Sequence, residues 1–421
     1  MKFIIKKTNS NFRKVECKCP INKNELILKE FGFYISEVSY FNKILICGNC
    51  GTLSNLNKID SSYSCIYCNM WFCNKNCCKH RYRVHQCVCS KLESIGDYDN
   101  QIPINYRFLI ELTYYYDLCK SILNTNYNNY NCIFPKKYLY LINSDIKLTS
   151  KEINRLLGIL YTNQFESTYP IITELFNPNI NGILLATKYG HLFNHSCKPN
   201  AYFYAFGNKL IIKSLKKISK GEEITISYIG IEELLNKPDF KKKFNFNCIC
   251  NNHIDIKLSK YIRPNDGWIQ AISESYSYQY TPRKRLEIVQ QFTKSTRLKQ
   301  LENYILNLNN IQYIDQISMT ILHWIIYTIT KTNTKMTLNI IQLLENKVIF
   351  AKKEIQKLIG INYILSDIQL YFQFIKSIIN PKTNLNLFKN TLKLTLPNTN
   401  YLPEFNILAN NIKTRNICKL L

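Results

Sequence analysis

The feature that most constrains this chain is a dense run of cysteines near its amino-terminal end. Four pairs of metal-ligand residues, each with two or three residues between its members, occupy one short segment: Cys47 and Cys50, Cys65 and Cys68, Cys73 and Cys77, and His85 and Cys89. One short turn can deliver both members of such a pair to adjacent corners of a tetrahedron, the geometry that zinc prefers. Because so short a segment cannot bury a large core, metal binding would supply much of its folding free energy. His80 competes with His85, but it leaves the last spacing wrong, so we favour His85.

The composition narrows the class of protein. The chain has 421 residues, a hydrophobic content of 46% and a formal net charge of +26, so it can bury a sizeable core in about two to four domains. The amino-terminal apolar run is too short for a signal peptide, and the longest apolar stretch is shorter than a membrane span. We therefore expect a soluble protein of the nucleus or the cytoplasm, where clustered cysteines indicate metal rather than disulfides. The basic residues are spread along the whole chain, which does not favour a dedicated nucleic-acid surface.

Three further segments are informative through their order and spacing. The first is Phe193–Asn200, with the sequence FNHSCKPN; the second is Lys220–Tyr228, KGEEITISY; the third is Phe244–His253, FNFNCICNNH. Taken singly, the first is consistent with a polar turn and the second with a turn that leads into a strand.

Together these motifs resemble a known family. The finger spacing resembles the MYND-type zinc finger, and the later segments look like the carboxy-terminal core of a SET domain with its post-SET segment. A SET domain interrupted by a MYND finger is typical of the SET-and-MYND (SMYD) protein-lysine methyltransferases. The resemblance implies an α+β fold in six parts: a SET amino-terminal lobe (1–46), the MYND finger (47–89), a helical insertion (90–180), the SET core (181–230), the post-SET zinc segment (231–258) and an all-helical, tetratricopeptide-like carboxy-terminal domain (259–421).

The resemblance also implies roles for individual residues and three zinc ions. Two ions would belong to the finger, one held by Cys47, Cys50, Cys73 and Cys77 and the other by Cys65, Cys68, His85 and Cys89. The third would be held by Cys197, Cys248, Cys250 and His253, where His253 replaces the usual last cysteine. Tyr228 would be catalytic and would also contact the cofactor, S-adenosyl-L-methionine. The remaining cofactor residues would be Asn194, His195, Phe246 and Arg13.

Two departures leave a second function open. The glycine-rich loop that usually precedes Ile21 is replaced by Phe12–Val15, and the post-SET aromatic that is often tyrosine is Phe244. Glycine allows a backbone to approach a ligand closely, so its loss favours an adaptor that has kept the scaffold and lost turnover. The intact Asn194, His195 and Tyr228 favour an enzyme. Its partners would be a protein lysine substrate such as a histone tail, and proteins bound by the finger or the helical domain, with no membrane partner.

Overall fold

The protein is described by a computed structural model that forms two compact units, residues 1–169 with 179–253, and residues 170–178 with 254–421. The structure describes residues 2–7, 13–36, 40–41, 44–55, 63–65, 67, 70–93, 102–124, 132–167, 182–229, 240–244, 246–248, 306, 334–359, 372–373, 376 and 386. Cys68, Cys250, His253 and most of 259–421 lie outside these residues.

The first unit is built from short strands that belong to small sheets. In chain order they are β1 (Phe3–Lys7), β2 (Arg13–Cys17), β3 (Leu26–Phe31), β4 (Phe33–Ser36), β5 (Tyr40–Phe41), β6 (Ile44–Ile46), β7 (Leu53–Asn55), β8 (Gln164–Ser167), β9 (Gly182–Leu185), β10 (Asn194–His195), β11 (Ala201–Phe206), β12 (Lys209–Ser214) and β13 (Thr225–Ile226). Its helices are α1 (Lys75–Glu93), α2 (Ile104–Leu112), α3 (Tyr116–Asn124), α4 (Ser150–Asn163) and α5 (Phe240–Phe244), with 3-10 turns at Lys136–Leu141 and Gly190–Leu192.

Strands far apart in sequence meet in the sheets. The sheet orders are β1-β2, β11-β12-β3, β4-β9-β8, β5-β6-β7 and a parallel pair β10-β13. β3 thus pairs with β12 and β4 with β9, so the chain between β4 and β8 is a long excursion from a single β-rich body. β2 joins the same body, because Cys17 N–H donates to the carbonyl of Glu222 (2.9 Å) and Ile224 N–H donates to that of Val15 (2.7 Å).

The excursion contains helices packed around their own apolar core. Phe108, Leu109, Leu112, Leu156 and Leu160 are completely or almost completely buried there. α4 begins at a capping box, in which the Thr149 hydroxyl accepts from the Glu152 amide and the Glu152 carboxylate accepts from the Thr149 amide. These two bonds satisfy backbone donors that the first turn of a helix leaves unpaired.

The predicted helical insertion differs from the structure at its end. Residues 164–167 form β8, which pairs with β9 in the register Phe165↔Leu184. Phe165 is buried and Glu166 exposed, so this short alternating stretch suits a half-buried strand.

The second unit contains α6 (Thr334–Ile359). Ile340, Ile341 and Leu344 are buried in this helix at the three- and four-residue spacing of one helix face. The tetratricopeptide-like arrangement stays a prediction, since most of residues 259–421 lie outside the described residues.

Candidate active site and metal centres

The first cysteine cluster brings together all four residues assigned to one zinc ion. The sulfur atoms of Cys47, Cys50, Cys73 and Cys77 lie within 4.8 Å of one another. Cys50 Sγ and Cys77 Sγ are each 3.5 Å from Cys73 Sγ, a separation that excludes a disulfide and suits ligands of one tetrahedral ion. The Asn74 side chain caps the start of α1 by accepting from the Cys77 amide at 2.9 Å, and so fixes where Cys77 enters the cluster.

A second cluster lies farther along the same helix. One ligand atom each of Cys65, His85 and Cys89 falls within 4.8 Å of the others, and His85 Nε2 is 3.3 Å from Cys89 Sγ. Cys77, His85 and Cys89 stand eight and four residues apart on one face of α1, so this helix carries ligands of both clusters. The first two clusters have the chemistry of structural zinc sites, with Cys68 the fourth residue assigned to the second.

The third cluster brings together two of its predicted members and one residue that was not among them. Cys197 and Cys248 come together with a sulfur separation of 3.7 Å, and His195 joins them, with Nε2 3.3 Å from Cys197 Sγ. Cys250 and His253 lie outside the described residues. The ring of His195 therefore faces the thiols, while the resemblance assigns chiefly its backbone to the cofactor.

Asn194 and Arg13 meet although 181 positions separate them. The Asn194 side-chain amide donates to the backbone carbonyl of Arg13 at 2.7 Å and to a Glu223 carboxylate oxygen at 2.8 Å. Arg13 begins β2, which pairs with β1, so the segment that replaces the glycine loop is strand at this end. Phe12 lies outside the described residues. The expected neighbours of the cofactor's polar end are thus close to one another.

Tyr228 lies in a bend two residues after the end of β13. Its hydroxyl donates to the carbonyl of Phe193 at 2.8 Å, and its amide donates to Nδ1 of His195 at 3.1 Å. Burial, with a smaller contribution from the Glu223 carboxylate, raises the pKa of the phenol above its usual value, and Arg13 only partly offsets this. The hydroxyl therefore stays protonated at neutral pH.

Phenylalanine rings pack around His195 and Tyr228. The Phe244 ring lies 5.4 Å from that of Tyr228, and Phe246 lies 6.1 Å from His195 and 6.2 Å from Tyr228. Phe240 packs on His195 with ring centroids 4.5 Å apart. Phe246 therefore lies beside both His195 and Tyr228, and its contact with the cofactor stays a prediction.

A narrow cavity of about 50 Å³ opens beside the Tyr228 ring. Its walls include Phe165, Phe193, Phe203, Phe244, Tyr228 and His191. Burial first, and then the Arg13 charge, lower the pKa of His191 to about 4, although its bond to the Ala186 carbonyl opposes the shift. A neutral imidazole and phenyl rings make much of this lining apolar, and Thr162, Asn163 and Gln164 add polar groups to it.

Sequence reasoning missed Glu30, which shapes the approach to Asn194. Its buried carboxylate accepts three backbone N–H bonds, from Lys188 (2.7 Å), Tyr189 (3.0 Å) and Gly190 (2.8 Å). The sequence of β3 is that of an ordinary strand, so nothing marked Glu30 as a site residue. The one available signal was a charged residue on the buried face of the strand. Asn200 braces the facing turn, accepting from Thr225 N–H and donating to the carbonyl of Glu223.

The comparisons with known proteins agree with this geometry. A sequence model of the SET domain matches residues 13–229. Histone-lysine N-methyltransferase ASHR1 of Arabidopsis thaliana is 23% identical over 252 residues, which cover 55% of this chain and 49% of that protein. Two SET and MYND domain-containing proteins of Dictyostelium discoideum are 42% identical over 60 residues (14% of this chain, 16% of the relative) and 30% identical over 142 residues (30% and 27%).

The matched residues include both Asn194 and Tyr228, and the chain belongs to the SET-domain family. Within that family it resembles the SET and MYND domain-containing proteins, as the finger spacing predicted. The alignments span about half or less of the length of these curated relatives. Among the helices that the structure describes, none is long and apolar enough to cross a membrane.

Proposed function

We propose that this protein is an S-adenosyl-L-methionine-dependent protein-lysine N-methyltransferase. The observation that carries the proposal is the position of Tyr228, whose hydroxyl donates to the Phe193 carbonyl and whose ring, with that of Phe193, lines the narrow cavity. The Asn194 amide donates both to the Arg13 carbonyl and to the Glu223 carboxylate. Methyl transfer to an amine requires a polar site for the cofactor's amino acid end and a largely aromatic path for the lysine.

The residues fit the cofactor by chemistry. Asn194 and the Arg13 backbone would hold its amino acid end, while Phe246 and the backbone at His195 would border its adenine. When bound, S-adenosyl-L-methionine supplies a methyl group on a sulfonium sulfur.

The chain's own residues would perform three tasks. The cavity walls exclude water and disfavour a charged ammonium, which lowers the pKa of an entering lysine. The Tyr228 hydroxyl and the Phe193 carbonyl orient the amine, and orientation supplies a large share of the rate of such a reaction. The Tyr228 phenol remains protonated, so it can donate a hydrogen bond throughout.

An adaptor without turnover is the second candidate. Two observations favour it: Arg13 sits in a paired strand where the family has a glycine loop, and Phe244 lines the cavity without a hydroxyl. Calorimetric titration of the purified chain with S-adenosyl-L-methionine separates the two. Saturable binding, with radiolabelled methyl transfer to a histone or lysate mixture, supports the enzyme; binding without transfer supports the adaptor, and no binding ends the enzyme proposal.

The finger and the post-SET segment would hold three zinc ions. The Cys47 cluster provides four thiols, and Cys65, His85 and Cys89 provide three ligands to which Cys68 adds the fourth. For the third ion, Cys197 and Cys248 would be completed by Cys250 and His253. Metal analysis of protein purified without chelator should give three zinc ions per chain; a value near one would contradict the finger assignment.

The partners and the compartment follow from the same proposal. A lysine on another protein, such as a histone tail, would be the substrate, and the finger and helical domain would contact other proteins. Reduced thiol clusters suit the nucleus or the cytoplasm.

A further inference from the structure

A buried charged network connects the finger to the helical insertion. Helix α2 presents Arg107 and Glu111 at a four-residue spacing, and α1 presents Arg81 one turn before His85. Glu111 is 0% exposed, Arg81 2% and Arg107 6%. Charges are buried only when they are paired, so each of these groups must have a partner in the interior.

The bonds within the network are short and directed. Arg81 donates to one Glu111 oxygen through Nη2 (2.6 Å) and Nε (3.0 Å). Arg107 Nε donates to the other oxygen at 3.0 Å. Glu111 is therefore held between two guanidinium groups.

The network continues into the metal ligands. Arg107 Nη2 lies 3.4 Å from Cys89 Sγ and 2.9 Å from His85 Nδ1. The same Nδ1 lies 3.4 Å from Glu111 Oε1. His85 itself is only 2% exposed, so these neighbours decide the environment of its ring.

The net charge of the buried network is zero only when the metal site is counted with it. Two arginines and one glutamate leave an excess of one positive charge in the interior. A zinc ion with three thiolates and a neutral histidine carries one negative charge, and the guanidinium beside Cys89 would balance it.

We propose that Arg107 and Glu111 form the outer coordination sphere of the His85–Cys89 zinc site, so that helix α2 sets how tightly this one ion is held; this rests on the proposed zinc assignment. With zinc on Nε2, the hydrogen of His85 is on Nδ1 and points to Glu111. The Arg107 guanidinium is also a donor and cannot bond to a protonated Nδ1, so its hydrogen bond goes to the Cys89 thiolate. Outer-sphere partners of this kind fix ligand orientation and typically change metal affinity by about 10–100-fold.

The test measures zinc release from the full-length protein into the chelator 4-(2-pyridylazo)resorcinol. Cys77→Ser and Cys89→Ser identify which kinetic phase belongs to which finger site. Arg107→Gln and Glu111→Gln should each speed the phase that Cys89→Ser removes by about 10–100-fold, and should leave the phase that Cys77→Ser removes unchanged.

Two controls separate metal binding from general loosening. Arg83→Gln, at an exposed position of α1, should change neither phase. Arg81→Gln removes charge from the same network but neither of the ligand contacts described for Arg107, so it should have a smaller effect on the Cys89 phase than Arg107→Gln. Equal acceleration of both phases by Arg107→Gln, or equal effects of Arg81→Gln and Arg107→Gln, would overturn the inference. If Cys89→Ser removes no phase in the first place, the zinc assignment itself is wrong.

Discussion

The backbone amide of Tyr228 donates to Nδ1 of His195 at 3.1 Å, while Nε2 of the same ring lies 3.3 Å from Cys197 Sγ. Because Nδ1 accepts, Nε2 must either carry the hydrogen or bind a metal. One imidazole therefore joins the candidate catalytic tyrosine to the third cysteine cluster. Disorder in that cluster would therefore shift the His195 ring and change the position of Tyr228.

Replacement of His195 by phenylalanine tests this connection. The ring shape that packs on Phe240 is kept, but the Tyr228 amide loses its acceptor, which costs about 1–3 kcal/mol when a buried donor is left unpaired. We expect lower thermal stability and lower methyl transfer together. Phe240→Leu, which removes a ring neighbour and no such bond, should reduce stability with a smaller effect on turnover. A His195→Phe variant with normal turnover would show that the imidazole does not position Tyr228.

Tyr228 and Asn194 should fail in different ways. Tyr228→Phe removes the hydroxyl that orients the amine, so turnover should fall by at least about tenfold while cofactor affinity is nearly kept. Asn194→Ala removes a side chain expected at the cofactor, so S-adenosyl-L-methionine binding by calorimetry should weaken. Unchanged methyl transfer in both variants would place the active site elsewhere.

His191 should make stability depend on pH. Burial and Arg13 hold its folded pKa at about 4, below the usual 6.5. The unfolded chain therefore binds a proton more readily between these values, and stability falls as the pH drops below 6.5 and stops falling near 4. At pH 5 the loss is no more than ~2 kcal/mol, and about 1 kcal/mol after allowance for solvent screening.

The measurement compares wild type with His191→Gln by denaturant unfolding at pH 7 and pH 5. Contributions from the zinc ligands occur in both proteins and cancel in the difference. The variant should lose less stability on acidification by about 1 kcal/mol. Equal losses of stability in the two proteins would mean that the pKa of His191 is the same in the folded and the unfolded chain.

Gly207 should tolerate no side chain. Its φ is +51°, and a Cβ there would lie 1.9 Å from the carbonyl oxygen of Cys50 and 2.8 Å from Cα of Gly51. Gly207→Ala should thus destabilise the fold by several kcal/mol and displace the Cys50 ligand. Gly221→Ala is the matched control: its φ of +84° is also positive, but nothing lies within 4 Å of the added carbon, so about 1 kcal/mol is expected. Thermal denaturation with zinc analysis distinguishes them, and equal losses would contradict the close approach.

Glu30 should be needed for the loop that leads to Asn194. Glu30→Gln puts an amide donor in a place where three backbone N–H groups converge, and hydrogen bonds to a charged acceptor are worth about 1.5–3 kcal/mol each at most. We expect a loss of a few kcal/mol in stability and weaker cofactor binding by calorimetry. Glu166→Gln, at an exposed site of β8, should behave like wild type. A Glu30→Gln protein with full stability would show that the loop holds itself.

Local spacing is what the amino-acid sequence predicts best. Ligand pairs with two or three residues between their members, such as Cys73 and Cys77, are set by one turn of backbone, whereas the assignment of pairs to a common ion rested on the family resemblance. The order of the motifs around Asn194 and Tyr228 likewise predicted the family, because short strands and turns are encoded by neighbouring residues.

Which distant groups meet depends on the packing of the folded chain. No spacing rule could join Arg107 and Glu111 to His85, Arg13 to Asn194, or Glu30 to Gly190, because each pair lies far apart in sequence and is brought together by sheet pairing or helix packing. The orientation of the His195 ring toward Cys197 is of the same kind: its residue type was readable, but the direction of its two nitrogens depends on which donor and which sulfur the fold places beside them.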